Sequence, residues 1–378
     1  MEEFLPFPSG RLKRIYEVAR RLARKHEVHI YCQRYHKNEE RVIDGIYVHG
    51  IGLPINSPSS FLKRTFSAGS YFFSLIDGNS FDVINTNWLF PAIPSYLAAK
   101  LRKTPVILSS DGILWRHVSN LNLQQYGSAM TLFGCMMEDL IVRNNYEAYT
   151  TVSQGTKEEL VSMGVNTEKV FVVYNGVDLD FYDKISVQEK NVPTVCYVGH
   201  LEERKNVLDL INAFSMVLKV VPDANLVVAG SGILREKAIG LVKALGMTRN
   251  VSFKGQLGFE EAATVIKSSD VLVLPSLIEG FGLVLAEANA CRKPVIAYNV
   301  PNVREVVRDG INGFLVQPKN VKMLSERIIR ILKDENLQKQ LGENGRKIVE
   351  ENFTWDKASE NILKVYHHVL AENRNVIF

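Results

Sequence analysis

Apolar and polar residues alternate along this chain in blocks of two kinds. Short runs rich in β-branched residues recur, and between them apolar positions return every three or four residues. Residues 11–25 set Leu12, Ile15, Val18, Ala19, Leu22 and Ala23 on one face, which predicts an amphipathic helix. Strands are predicted at 28–32, 46–51, 83–86, 106–109, 149–153 and 170–174, with a helix near 92–102. The second half repeats the theme, with strands at 194–198, 225–229, 251–253, 271–274 and 295–297 separated by helical periods. Strands alternating with helices argue a parallel sheet covered on both faces, and two such sets argue two doubly wound domains. The polar stretch 182–193, ending at Pro193, is the expected boundary. A doubly wound domain usually opens on an apolar central strand. Here only Phe4 and Leu5 precede Pro6 and Pro8, so a first strand is expected to be absent or very short.

A length of 378 residues agrees with two domains of ordinary size. With 46% hydrophobic and 23% charged residues, the chain is neither disordered, collagen-like nor coiled-coil. A net charge of +4 is too mild to argue for nucleic acid. The charge is local, however: residues 11–25 hold seven Arg or Lys against one acid, Glu17. The plain expectation is an apolar stripe packed on the first sheet with the basic groups solvated outside. The sharper one is contact with an anionic membrane or a lipid-linked acceptor. Residues 61–73, with Lys63 and Arg64 among five aromatics, would extend that surface. Cys32, Cys135, Cys196 and Cys291 lack metal-ligand spacing and read as reduced thiols. With no apolar run long enough to span a bilayer and no signal-peptide layout, a cytoplasmic protein is expected, at most peripheral at the inner face of the membrane.

Candidate chemistry is densest at residues 271–298. A predicted strand at 271–274 runs into the loop PSLIEGFG, and residues 283–290 read as a helix containing Glu287. A helix N-terminus offers unpaired N–H groups and a partial positive charge, which suits a diphosphate. Gly280 and Gly282 let the backbone come close to a ligand. Glu279 at the loop mouth is suited to accept hydrogen bonds from sugar hydroxyls, and Glu287 to reach a ribose. The bland alternative is a βα turn with two surface glutamates. GHLEERK at 199–205 follows another strand. Its Arg204 and Lys205 are suited to neutralise a departing diphosphate, or else belong to a solvated loop. Gly230 and Gly232 make only part of a dinucleotide fingerprint. Asp178 and Asp180 form a DxD within turn chemistry, and no metal site is expected there. No zinc pattern, nucleophile elbow or Walker A lysine occurs in the sequence.

In order, YVGHLEERKNVLDLINAF, LVVAGSG, VSFKGQLG, VLVLPSLIEGFGLVLAEANA, KPVIA, REVVRDGINGFLV and FTW resemble the donor half of glycosyltransferase family 4. FDVINTNW, TPVILSSDG, TTVSQGTKEEL and VVYNGVDLDFY resemble its acceptor half more loosely. The resemblance implies an α/β GT-B fold, two Rossmann-like domains facing a deep cleft: residues 1–183 on the acceptor side, 184–353 on the donor side. It also implies that residues 354–378 form a helix returning to the first domain. It implies a retaining, metal-independent enzyme that uses a UDP- or GDP-linked sugar as co-substrate and has no bound cofactor. Lys205 would bind the diphosphate with Arg204 nearby, and Glu279 would hold the donor sugar. The backbone of Phe281, Gly282 and Leu283 would face the phosphates, with Glu287 on the ribose. Gly255 and Leu257 would lie near the base, and Gly10 in the N-terminal glycine loop. Gly199, His200, Gly230 and Gly280 complete the expected donor site, and Asp111 is the third expected catalytic residue beside Glu279 and Lys205.

Five positions depart from the family pattern. His200 replaces an arginine, Pro301-Asn302 replaces a glycine pair, Asp111 replaces a histidine, and Ser9 replaces the first glycine of a pair. The missing first strand, His200 and Pro301-Asn302 keep open a nucleotide-sugar-binding subunit with little or no catalysis, and a GT-B nucleotide-sugar epimerase is a further alternative that the Glu279–Glu287 pair matches less well. The acceptor stays open as a glycan, a lipid-linked molecule or a small molecule.

Overall fold

The computed structural model describes residues 10–33, 40–52, 69–76, 80–88, 90–121, 127–187 and 192–376. The expected absence of a first strand falls on residues 1–9, outside the described residues, as do residues 61–68 of the aromatic stretch. Contacts divide the chain into two compact units. One comprises Met1–Arg116, Ala129–Asn175 and Trp355–Phe378, and the other His117–Ser128 and Gly176–Thr354.

In the first unit, β1 (Val28–Gln33), β2 (Glu40–Ile43) and β3 (Ile46–Ile51) form a sheet in the order β1-β3-β2. β1 and β3 are parallel, and β2 is antiparallel to β3. The two-residue turn Asp44-Gly45 has φ of 49° and 80°, as a tight hairpin turn with matching twist requires. A second sheet holds β4 (Ile84–Asn87), β5 (Val106–Ser110), β6 (Ala148–Thr151) and β7 (Val170–Val172), all parallel and in that order.

The helix Gly10–Leu22 packs Leu12 and Ala19 against Ile30, Cys32, Ile46 and Val48. Its Val18 and Leu22 meet another cluster, in which Ile107, Ala148 and Val173 close against Ile362, Val365 and Val369 of the helix Trp355–Val376. Because this helix is covered on more than one side, its basic groups are not all on a solvated face, contrary to expectation. Lys13, Arg14 and Glu17 are buried. Arg14 donates to the Val173 carbonyl at 2.8 Å and to Asn175 Oδ1 at 2.9 Å. Arg20 and Arg21 share the Glu17 carboxylate, and Arg21 also reaches Asp356 at 2.8 Å. Buried cations need such partners, since desolvation otherwise drives them out.

The second unit holds β8 (Thr194–Val198), β9 (Asn225–Ala229), β10 (Val251–Gly255), β11 (Val271–Leu274), β12 (Val295–Tyr298) and β13 (Gly313–Val316). They form one parallel sheet in the order β10-β9-β8-β11-β12-β13. β11 and β12 are buried throughout, which explains their unbroken apolar runs. β13 is a strand that periodicity did not predict. The strand order reverses between β8 and β11, and in open α/β sheets such a switch point opens a crevice beyond the carboxyl ends of the strands.

The main stretch of the second unit starts at Gly176, ahead of the expected boundary at 183–184. The reason lies in the helix Leu179–Lys184, whose contacts run into this unit. Lys267 Nζ donates to the Tyr182 carbonyl at 2.8 Å, and Arg346 grips both oxygens of Asp183 at 2.8 Å. Asp178 caps this helix by accepting from the Phe181 N–H at 3.1 Å, which accounts for the first acid of the DxD. None of the four cysteines is joined in a disulfide. Among the described residues no helix is long and apolar enough to cross a membrane.

Candidate functional site

Three loops leave neighbouring strands of the second unit and are stitched together by backbone hydrogen bonds. Beyond β8 and β9, the Gly199 N–H donates to the Ala229 carbonyl at 3.0 Å and the Leu201 N–H to the Ser231 carbonyl at 2.9 Å. At the end of β10, the Gly255 carbonyl accepts from the Gly230 N–H at 2.7 Å. The stitching depends on glycine at position 230. Its φ is +142°, and a Cβ there would lie 1.9 Å from the Gly199 carbonyl oxygen. Gly199, Gly230 and Gly255 thus lie together at one end of the sheet, and Leu257 follows half-buried two residues later.

The loop after β11 meets the loop after β8 across the switch point. The Leu277 N–H donates to the Arg204 carbonyl at 2.8 Å. Lys205 Nζ donates to Glu279 Oε1, forming an ion pair whose side chains are 14% and 8% exposed. This pair joins two residues that are distant in sequence and that the motifs had singled out separately. Asn302 Nδ2 donates to the Glu279 backbone carbonyl at 2.7 Å, so the Pro301-Asn302 departure places a side-chain anchor under the same loop. Pro301 opens the 3-10 turn Pro301–Val303, a position where its missing N–H costs nothing.

Gly280 is half-buried beside Glu279. Phe281 is turned inward, with its ring edge-on to Phe353 at 5.3 Å between centroids. Gly282 then caps the helix Leu283–Ala290 from the left-handed region, at φ +81°. The loop therefore delivers a helix N-terminus close in sequence to a buried carboxylate. Glu287, one turn into this helix, is half-buried and hydrogen-bonded to the Tyr182 hydroxyl.

Burial pulls the Lys205 ammonium below the ordinary lysine value, with Glu279 opposing. Burial pushes the Glu279 carboxyl up, but the charges of Lys205 and Arg204 outweigh it and hold the carboxyl below the usual carboxylate range. Arg204 is itself held by Glu202 at 2.9 Å. Burial lowers the His200 imidazole below its ordinary value, and Arg204 and Lys205 reinforce this against Glu202. His200 therefore supplies less positive charge near neutrality than the arginine it replaces. Tyr197 fixes its backbone by donating to the His200 carbonyl at 2.7 Å.

A carboxyl whose folded pKa lies below its unfolded value stabilises the fold above the unfolded pKa, about 4.3 for Glu, and loses that contribution as pH falls through the folded value. Glu279 is thus expected to make the second unit less stable in acid. Thermal unfolding followed from about pH 6 down to pH 3 should show a steeper fall for the wild type than for Glu279→Gln.

Gly10 and Asp111 belong to the first unit. Gly10 is the exposed first residue of its helix, and Arg11 Nε pairs with Asp111 Oδ2 at 2.7 Å. Asp111 follows β5 directly, so a strand end and a helix start fix it from two sides. Tyr182, Tyr197 and Asn302 were not among the expected site residues. Tyr182 and Asn302 touch groups distant along the chain, and Tyr197 and Asn302 act on backbone carbonyls, so no spacing rule signals these contacts.

Two family models divide the chain between them. "Glycosyltransferase Family 4" matches residues 10–181, and "Glycosyl transferases group 1" matches residues 179–348. The chain is 26% identical over 374 residues to N-acetyl-alpha-D-glucosaminyl L-malate synthase of Bacillus anthracis, covering 95% of this chain and 94% of that protein. Among solved structures, sucrose-phosphate synthase from Thermosynechococcus elongatus is similar with a TM-score of 0.81 at 23% identity, over 96% of this chain and 94% of that one. Anabaena HepE in complex with UDP and glucose gives a TM-score of 0.77 at 17% identity, over 97% and 98% of the two chains.

Proposed function

Because the chain belongs to glycosyltransferase family 4 and has the GT-B fold, we propose that it transfers a sugar from a nucleoside diphosphate sugar to an acceptor hydroxyl with retention of anomeric configuration. The observation that carries this reading is the buried Lys205–Glu279 pair at the switch point of the second sheet. An anionic diphosphate arriving there would draw on Lys205, Arg204 and the helix N-terminus at Gly282 and Leu283. Fixed positive charge of this kind stabilises the negative charge that grows on the leaving group. Glu279 would then be freed to accept hydrogen bonds from the sugar hydroxyls.

In this reading Glu287 takes the ribose, and Gly255 and Leu257 border the base. The acceptor hydroxyl forms its bond to the anomeric carbon on the face from which the diphosphate departs. Its proton passes to the departing phosphate oxygen. Asp111, held by Arg11, is the first unit's candidate for orienting the sugar or the acceptor, and Gly10 its candidate for the donor. A lipid-linked acceptor, or membrane contact through residues 11–25, is the weaker reading, because Arg11, Arg14, Arg20 and Arg21 are already engaged by acids and carbonyls.

HepE binds UDP and glucose, so UDP-glucose is the first donor to try. The name of the Bacillus anthracis relative makes UDP-N-acetylglucosamine with L-malate the second pair. A thermal-shift screen of UDP- and GDP-sugars should single out one donor, since a ligand bound only by the native state raises its stability. NMR of the product formed from that donor then reads the anomeric configuration. Retention supports the proposal. An inverted product, or an epimerised donor formed without acceptor, overturns it.

A further inference from the structure

The helix Leu179–Lys184 is a short segment with an unusual density of anchors. Asp178 caps its start, Lys267 holds the Tyr182 carbonyl at 2.8 Å, and Arg346 binds both oxygens of Asp183 at 2.8 Å. Arg346 is itself buried and donates to the Ala290 carbonyl at 2.9 Å, at the last residue of the helix that carries Glu287. The two helices are therefore locked together at one end. Tyr182 projects from the middle of the locked segment and is only 3% exposed. Its hydroxyl meets the Glu287 carboxylate.

A glutamate on a helix samples many side-chain rotamers, and ordering it on a ligand costs entropy. A donor already fixed in place removes part of that cost, because the carboxylate is presented in one orientation before the ligand arrives. A carboxylate offers about four lone-pair positions, so one phenol donor does not exhaust what Glu287 can accept. Resting on the donor-site reading above, we propose that Tyr182 is a positioning residue that holds Glu287 for the two ribose hydroxyls of the nucleotide. It thereby sets the preference for a ribonucleotide over a deoxynucleotide. The phenol fits this task, since burial and then the Glu287 charge push it well above the ordinary tyrosine value, so it stays protonated and donates.

The test compares UDP and GDP with their 2′,3′-dideoxy counterparts by calorimetry, on the full chain. Wild type should bind the ribonucleotide more tightly than the dideoxynucleotide. Glu287→Gln should abolish most of that ratio. Tyr182→Phe, which keeps the buried ring, should reduce the ratio by about tenfold, the range of one hydrogen bond. In turnover, KM for the nucleotide sugar should rise more than kcat falls. Adding Tyr182→Phe to Glu287→Gln should cause no further change in the ratio. A purely structural role would weaken ribo- and dideoxynucleotide binding alike and leave the ratio intact. That result in Tyr182→Phe, with the ratio lost in Glu287→Gln, overturns the positioning role alone. An unchanged ratio in Glu287→Gln overturns the ribose assignment and the proposal with it.

Discussion

Lys205→Ala is expected to lower kcat by about 10²–10³-fold, the loss typical when one group stabilising a developing anion is removed. Glu279→Ala should lower kcat/KM by a similar factor through the sugar. Both substitutions also break a buried ion pair and leave one uncompensated charge. That costs about 3–5 kcal/mol of stability in comparable pairs. Activity and stability must therefore be separated. The double variant Lys205→Met/Glu279→Gln removes both charges and should recover most of the thermal stability while remaining inactive. Full turnover in either single variant would sink the site. Inactivity in the singles with activity restored in the double would show that the charges serve only the fold. Steady-state kinetics beside thermal unfolding distinguishes these cases.

Gly230→Ala should be the most damaging single methyl group in the second unit. The added carbon would overlap the Gly199 carbonyl oxygen, at a φ that L-residues rarely adopt. Strain and overpacking together predict a loss of about 2–5 kcal/mol. Because Gly199 and Gly255 are tied to the same backbone ladder, nucleotide binding should weaken as well. Gly240→Ala makes the control. It lies exposed in the helix Arg235–Ala244 with nothing near the new Cβ, and should stabilise by about 0.5–1 kcal/mol. The same chemical change is thus expected to have opposite signs at the two sites, read as shifts in melting temperature. A Gly230→Ala protein as stable as wild type would refute the tight approach of these loops.

Much of the fold was legible because its signals are local. β8 (Thr194–Val198) and β11 (Val271–Leu274) were predicted to the residue, since buried parallel strands carry unbroken apolar runs that end at glycine or proline. β2 (Glu40–Ile43) was missed, although the Asp44-Gly45 pair between apolar runs is a strong hairpin signal. β13 (Gly313–Val316) is only four residues long and opens on a glycine whose Cβ would lie 2.0 Å from the Val295 carbonyl oxygen. Its pairing is set by close backbone approach, which periodicity does not encode.

The basic helix was misjudged because charge alone does not say which face a long side chain follows. Arg14 sits inside because Val173 and Asn175 offer it oxygens, and both come from far along the chain. The same distinction runs through the candidate site. Glu279 and Gly282 stand out because a strand, a glycine loop and a helix follow each other directly. Asn302 and Tyr182 matter through partners brought close only by the sheet, so no motif spacing reveals them.

The placement of the helix Trp355–Val376 bears on how the protein is made. All six strands of the second unit lie between Thr194 and Val316, so its sheet can close as soon as that stretch has left the ribosome. The first unit has to wait. Ile107, Ala148 and Val173 are covered by Ile362, Val365 and Val369. At about 5–20 residues per second, the interval between Val173 and Val369 is roughly 10–40 s. For that time an apolar patch on the half translated first stands uncovered, a target for chaperones and for other nascent chains. The unit begun earlier is completed later, by a helix translated after the whole second sheet.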